Sequence, residues 1–222
     1  MIFVLDFDGT IAPIDTVDAL LENFGSDAWH SVEQDWVEGK ISSRVCMSRQ
    51  IDMVAADRST LDAFFDAVEI DPGFVDFVRY VSPFAQLAVV SDGLDYPIQL
   101  AMQRMGIPKM PVYANKMTFR PNGLGISFPH ALKACATGSG VCKCAVARSL
   151  DAETIVLVGD GRSDFCLAKA ADYVFAKGSL IRFCEQKGVS HTPFANFCDV
   201  LAVVREWDKT TMIARGEKRY AT

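Results

Sequence analysis

Three short apolar runs stand far apart in the chain, and each breaks off into an acid or hydroxyl residue with glycine close behind. Ile2-Phe3-Val4-Leu5 leads into Asp6-Phe7-Asp8-Gly9-Thr10, Leu87-Ala88-Val89-Val90 into Ser91-Asp92-Gly93, and Ile155-Val156-Leu157-Val158 into Gly159-Asp160-Gly161. Four apolar residues in a row, bounded by turn formers, are the pattern of a strand buried on both faces. Such strands belong to parallel sheets covered by helices on either side. The chain is therefore read as α/β, a Rossmann-like parallel sheet flanked by helices. In an open sheet of this kind the ligand site lies beyond the carboxyl ends of the strands. The acids and hydroxyls just named are expected to converge there.

Helical periodicity fills the stretches between the runs. Val17, Leu20, Leu21 and Phe24 fall on one face, with Asp15 placed to cap and Gly25 to stop the helix. Trp29, Val32 and Trp36 continue the period before Gly39, and further helices are expected from Ser42, from Ser59 and from Asp71-Pro72. A helix should follow Gly93 as far as Met105 and close at Gly106, and another should span Ala145 to Leu150. Short strands are expected near Val112, over Met117–Phe119 and Ile126–Phe128 around a turn at Pro121-Asn122-Gly123, and over Tyr173–Phe175. No strand-like run interrupts the segment from Asp15 to Tyr80. The expected organisation is a core domain from residues 1–11 and 84–207, an all-helical insert over 12–83, and a loosely held polar tail over 208–222.

Composition narrows the partners. Lys and Arg total 22 against 28 Asp and Glu, a net charge of −6. That balance argues against a nucleic-acid binder working through a basic face, but it leaves room for a small anionic substrate, since local and net charge can differ. No apolar stretch approaches the ~18 residues of a membrane span, and the first residues lack the basic flank of a secretory signal. Seven cysteines in a chain of 222 residues, long enough to build its core without cross-links, fit a reducing, cytoplasmic setting. Oligomeric state is open between monomer and homodimer.

The strand-end residues have a chemistry in common. Asp6 and Asp8 are two apart, and if strand geometry persisted both would point the same way. Carboxylates held together call for a cation, a shared proton, or both. Asp160 and Asp164 add a second pair, and four carboxylates at one sheet edge suit a hard divalent ion such as Mg²⁺. Ser91 offers a hydroxyl, Gly93 allows backbone N–H groups close to an anion, and Lys143 is a candidate cation. Together these are the parts of phosphoryl transfer through an aspartyl-phosphate. No Walker A sequence is present, and the Asp6 loop lacks the glycine position of an EF-hand.

Asp6-Phe7-Asp8-Gly9-Thr10, Ser91-Asp92-Gly93, Lys143 and Gly159-Asp160-Gly161-Arg162-Ser163-Asp164 resemble the four ordered motifs of the haloacid dehalogenase superfamily. The resemblance runs to about Trp207, and within the superfamily the chain is similar to the phosphoserine-phosphatase-like branch. Cys142-Lys143 and Asp164-Phe165-Cys166 are similar to a group holding the methionine-salvage phosphatase and the phosphoethanolamine/phosphocholine phosphatase. Thr192-Pro193-Phe194 leans toward the former; Asp92, where the salvage enzyme has Gly, is shared in type with the latter. The resemblance implies a small all-helical cap of the C1 type. It implies Asp6 as nucleophile, Asp8 as general acid and base, and Mg²⁺ on Asp6, the Asp8 backbone carbonyl and Asp160, with Asp164 supporting the metal waters or orienting Lys143. It further implies that Ser91, the Asp92-Gly93 backbone and Lys143 bind phosphate. The implied partner is a small phosphorylated metabolite, with methionine-salvage, phosphocholine, phosphoethanolamine and phosphoserine substrates all open. A catalytically silent binding protein on the same fold is the competing reading from another class.

Specificity is expected in the cap. Asp15 is read equally as a substrate contact and as a helix N-cap, Arg49 as a substrate contact or a solvated residue, and Asp92 as a further candidate. Trp29, Trp36, Phe64 and Phe65 are read as cap packing. His130, Cys135, Cys142 and Cys144 lie close in sequence without a standard zinc spacing, and buried thiols, a metal knuckle and redox-active thiols all stand as readings. His30 and His191 carry no assignment.

Overall fold

The computed structural model describes residues 1–207, apart from Pro108, Asn122 and Ala136. The tail over 208–222 and the centre of the Pro121–Gly123 turn lie outside the described residues.

Strand β1 (Ile2–Leu5) is at the centre of a seven-stranded sheet. Five helices follow it: α1 (Thr16–Phe24), α2 (Trp29–Val37), α3 (Ser43–Ile51), α4 (Arg58–Asp66) and α5 (Phe74–Val81). The chain continues through β2 (Gln86–Leu94), α6 (Asp95–Arg104), β3 (Val112–Arg120), β4 (Gly123–Ser127) and α7 (Lys143–Ser149). The last elements are β5 (Ile155–Gly159), α8 (Phe165–Ala168), β6 (Tyr173–Ala176), α9 (Gly178–Lys187), β7 (Thr192–Pro193) and α10 (Phe197–Glu206). The strand order is β4-β3-β2-β1-β5-β6-β7, parallel except for β4. In β1, Ile2 sits opposite Gln86 on one side and Ile155 on the other.

The side-chain alternation of a strand explains why both sheet faces are apolar. Phe3 and Leu5 of β1, with Val156 and Val158 of β5, point into one core, where Phe77, Phe175 and Phe197 pack. Ile2, Val4 and Leu157 point the other way, onto Val146, Leu167 and Leu180. Phe3 lies between the Phe77 ring, edge-on at 5.4 Å, and the Trp207 ring, stacked at 5.9 Å.

The helix starts follow capping chemistry. Asp15 accepts from the N–H groups of Val17 and Asp18, Ser42 from Val45, and Asp57 from Thr60. The helix expected from Ser59 thus begins one residue earlier, behind its Asp57 cap. Pro72 precedes α5 rather than entering it. Asp71 instead accepts from Gly73 N at 2.9 Å and from Phe197 N at 3.0 Å, fastening the start of α5 to the start of α10.

Two strands differ from expectation. β2 does not stop at Val90; it runs on to Leu94, with its register to β3 shifting between Val90 and Leu94. That irregularity lifts residues 91–93 out of the ladder, which is how bulges re-aim side chains near sites. The separate runs near Val112 and Met117 are one strand, β3, parallel to β2 in its first half and antiparallel to β4 in its second. Among the described residues no helix is long and apolar enough to cross a membrane.

Candidate active site

The carboxyl ends of β1, β2 and β5 open into a cavity of about 910 Å³. Its floor includes Asp6, Asp8, Ser91, Asp92, Gly93 and Asp160, and its far wall is made by residues of α1, α2 and α3.

Asp6 follows the last residue of β1 directly, and its N–H is held by Val158 O at 2.9 Å. Its carboxylate accepts from Phe7 N at 2.8 Å and meets the Lys143 ammonium at 2.7 Å. Lys143 reaches it from the first turn of α7 and simultaneously contacts Asp164 Oδ1 at 2.7 Å. Both ion pairs are buried. Asp164 Oδ2 accepts from the N–H groups of Asp160 and Gly161, fixing the loop after β5. Thr10 Oγ1 donates to Asp160 Oδ1 at 3.2 Å.

Asp8 takes a different direction. Strand geometry ends at Leu5, and the turn over Phe7–Ile11 sends the Asp8 carboxylate toward α1. Thr16 donates to its Oδ1 through both the backbone N–H, at 2.8 Å, and the hydroxyl, at 2.5 Å. Ser91 Oγ donates to Oδ2 at 3.3 Å and accepts from Gly93 N at 2.9 Å. A Cβ at Gly93 would overlap Asp8 Oδ2, so a side chain at 93 and this aspartate position exclude each other. The expectation that Asp6 and Asp8 share one direction is thus replaced by two separately partnered carboxylates.

The electrostatics follow from burial. Burial, then Asp164, pushes Asp6 well above the usual carboxylate range, opposed by Lys143. Asp160 is pushed up to about 6 by burial and Asp164. Burial alone would pull the Lys143 ammonium down, but Asp164 and Asp6 outweigh it and hold it above the ordinary lysine value. Asp8 is pushed up to about 7, first by burial and then by Asp15.

Asp6, Asp160 and Asp164 bring carboxylate oxygens within 4.8 Å of one another. Three carboxylates share the Lys143 ammonium, with the Lys177 ammonium acting on Asp160 and Asp6 from its place on Thr10 O, so the group is still short of positive charge. An all-oxygen donor set of that sign fits a hard divalent ion such as Mg²⁺. Among the described residues no second group of metal-competent side chains converges. His130 instead packs on Tyr113, and the cysteines are free thiols. His30 packs on Trp29, and His191 Nδ1 bonds to Val189 O.

The cap candidates separate. Asp15 caps α1 and also lines the cavity, so its two readings are compatible. Arg49 is exposed on the last turn of α3 and is not among the lining residues. Trp29 and Phe65 are buried, and Phe64 packs edge-on against Phe24. Trp36 departs from simple packing: it lines the cavity beneath the Arg162 guanidinium, 5.1 Å from its ring. Asp92 turns its carboxylate toward Val141 N, at 2.9 Å, and Ser43 Oγ, at 3.0 Å. Thr16, Ser43, Asn115 and Val141 carried no signal in the sequence. Thr10 stood inside the first quoted motif without a role.

The sequence model of the haloacid dehalogenase-like hydrolases matches residues 3–169. A 2-hydroxy-3-keto-5-methylthiopentenyl-1-phosphate phosphatase of Exiguobacterium sibiricum is 32% identical, the match covering 88% of this chain and 92% of that one. A phosphatase of the same description from Lysinibacillus sphaericus is also 32% identical, over 94% and 96% of the two chains. A solved hydrolase of the same family from Salmonella enterica serovar Typhi superimposes with a TM-score of 0.73 at 22% identity, covering 93% of this chain and 71% of that one. A phosphoserine phosphatase solved as a phospho-aspartyl intermediate analogue gives 0.66 at 17% identity, covering 91% and 97%. At these identities the two structures speak to the fold.

Proposed function

Because the chain belongs to the haloacid dehalogenase-like hydrolases, we propose that it hydrolyses a small phosphate monoester in two steps through an aspartyl-phosphate on Asp6. The observation that carries this reading is the buried Lys143 ammonium held 2.7 Å from both Asp6 and Asp164, with Asp6 on the floor of an open cavity. Asp6, Asp160 and the Asp8 backbone carbonyl would hold Mg²⁺, with Asp164 in support. When bound, the ion supplies positive charge to the phosphoryl oxygens and to the crowded carboxylates.

In the first step Asp6 attacks phosphorus as the bond from phosphorus to the leaving oxygen breaks. Asp8 gives that oxygen its proton. Thr16 engages Asp8 Oδ1 twice, which leaves Oδ2, beside Ser91, as the proton-carrying oxygen. Burial keeps that proton on Asp8 near neutral pH, as a general acid needs. In the second step Asp8, now ionised, takes a proton from water. The water oxygen attacks phosphorus, the bond to Asp6 breaks, and phosphate leaves. With the ester bound, the Ser91 hydroxyl turns its one O–H from Asp8 Oδ2 to a phosphoryl oxygen, which frees Oδ2 to donate, while an N–H of the Asp92-Gly93 backbone and the Lys143 ammonium meet the other oxygens. Helices α1–α3 exclude bulk water while the ester is intact.

For the substrate we propose 2-hydroxy-3-keto-5-methylthiopentenyl-1-phosphate, on the strength of 32% identity across nearly the full length of two phosphatases of that description. A second reading, an ester carrying an ammonium group such as phosphocholine or phosphoethanolamine, is favoured by Asp15, Asp18 and Glu33 on the cavity wall. A panel of these esters with phosphoserine, assayed with Mg²⁺, decides between them. The first reading requires the highest kcat/KM on the methylthiopentenyl ester, and a higher value on an amino ester reverses it. The chemistry itself is tested by Asp6→Asn and by EDTA. The substitution should cost on the order of 10⁶-fold, as removal of a catalytic nucleophile does elsewhere, and EDTA should stop turnover until Mg²⁺ is restored. A folded Asp6→Asn variant with near-normal turnover rejects the nucleophile.

A further inference from the structure

The cap helix α3 and the loop that leads to Lys143 are joined at one carboxylate. Asp92 Oδ2 accepts from Ser43 Oγ, the first residue of α3, at 3.0 Å. Asp92 Oδ1 accepts from Val141 N at 2.9 Å, two residues before Lys143. Asn115 Nδ2 braces the same residue through its backbone oxygen, at 2.6 Å. The other end of the loop is gripped from the same helix turn, since Arg44 Nε donates to Gly138 O at 3.3 Å. Gly138 has φ +61°, and a Cβ there would press on the Ser42 side chain, so the close seat of α3 on this loop depends on glycine.

From this geometry we propose that Asp92 is a positioning residue that couples the seating of α3 over the cavity to the placement of Lys143 against Asp6. Neither oxygen of its carboxylate is spare: one holds the cap and the other holds the loop. When α3 is seated, residues 138–141 are held at both ends and Lys143 enters α7 from a fixed start. When α3 lifts, Ser43 and Arg44 leave together; the loop keeps the Val141 bond to Asp92 and its local bonds, Gly138 N to Cys135 O and Thr137 to Ser139, but loses both hydrogen bonds to α3. The cap that selects the ester would thereby also assemble the cation that acts on it, so a substrate that fails to seat α3 meets a looser Lys143. The coupling concerns the chain itself; only its kinetic consequence rests on the phosphatase reading.

The test uses the full chain with Ser43→Ala, Ser43→Thr and Arg44→Ala. Arg44 is not among the residues lining the cavity, so its variant separates coupling from a lost substrate contact. Hydrogen–deuterium exchange is followed in peptides covering residues 43–51 and 138–150 of the metal-free protein. Coupling requires Ser43→Ala and Arg44→Ala to speed exchange in both peptides with Tm nearly unchanged, and Ser43→Thr to restore protection. On p-nitrophenyl phosphate with Mg²⁺, kcat should fall about tenfold in the first two variants, the scale of one hydrogen bond to a charged group, with KM changed less than twofold. Faster exchange confined to 43–51, or an unchanged kcat, overturns the proposal. If the wild type turns over no ester, the phosphatase reading fails, while the exchange of 138–150 still decides the coupling.

Discussion

The Lys143 ammonium stands 2.7 Å from Asp6 Oδ2 with both side chains buried. A buried ion pair is weak support for stability, but removing one partner is costly, because the other is left uncompensated. Lys143→Met leaves Asp6, Asp160 and Asp164 without their ion-paired ammonium, with only the more distant Lys177 acting on Asp160 and Asp6. Unfolding free energy should drop by about 3–5 kcal/mol in the absence of metal. Mg²⁺ should then raise the Tm of the variant more than that of the wild type. Thermal melts with and without MgCl₂ check this, and equal shifts would contradict the assignment of the carboxylates as ligands.

Asp8 is held near 7 by burial and by Asp15, above the ordinary value for an aspartate. An acid with a raised value keeps its proton below that pH and loses it above. The kcat/KM for alkyl phosphates should therefore decline as pH rises through about 7. Asp15→Asn removes a neighbouring negative charge and should move this limb to lower pH. Asp8→Asn should hurt alkyl esters far more than aryl esters, whose leaving oxygens need no proton. Profiles measured on one ester of each class are the check, and equal loss on both would reject Asp8 as the acid.

Asp160 is pushed up to about 6 by burial and Asp164. Metal binding requires the ionised carboxylate, so protons and metal compete. The Mg²⁺-induced rise in Tm should shrink as pH falls through about 6, and Asp160→Asn should remove most of it at pH 7.5. Differential scanning fluorimetry over a pH series measures both.

Cys135 lines the cavity. Burial pushes its thiol up, but hydrogen bonds from Thr137 and Ser139 reverse this and bring it down to about 7. Cys46 is pushed up to about 12 and Cys144 to about 11 by burial. The thiolate is the reactive form. Iodoacetamide should label Cys135 with a rate that levels off by about pH 8, while Cys46 and Cys144 stay slow throughout. Peptide mapping by mass spectrometry gives the three rates, and Cys135 labelling that tracks Cys144 would contradict the assigned environment.

Much of the sheet was legible because β1, β2 and β5 are buried on both faces and so carry uninterrupted apolar runs. The convergence of Asp6, Ser91 and Asp160 followed from strands ending at one edge, whereas Lys143 reaches them from the first turn of α7. What escaped the sequence depends on contacts with no periodic or motif signature. Asp8 was expected beside Asp6, but the turn after Leu5 gives it to Thr16. Ser91-Asp92-Gly93 read as a strand end because a bulge inside β2 looks like a terminus in one dimension. Asp92 read as a backbone phosphate contact and a specificity candidate; that its carboxylate spans two segments, 49 residues away on either side, had no signature, because only docking of α3 brings them together. Arg49 read as a substrate contact or a solvated residue and lies exposed on the last turn of α3, while Arg44 on the first turn, which carried no signal, reaches the loop.

The position of β1 bears on how the protein is made. Its two neighbours pair with it from Gln86 and Ile155, so one edge stays open for more than eighty residues of synthesis and the other for more than one hundred and fifty. Ile2-Phe3-Val4-Leu5 lacks both neighbours until β2 has been made and keeps one open edge from then until β5 has. Long-range pairing of this kind folds slowly and leaves such strands open to wrong partners. The segment that will deliver Asp6 to the site thus waits for a late partner, and its second edge is closed only when β5 has emerged.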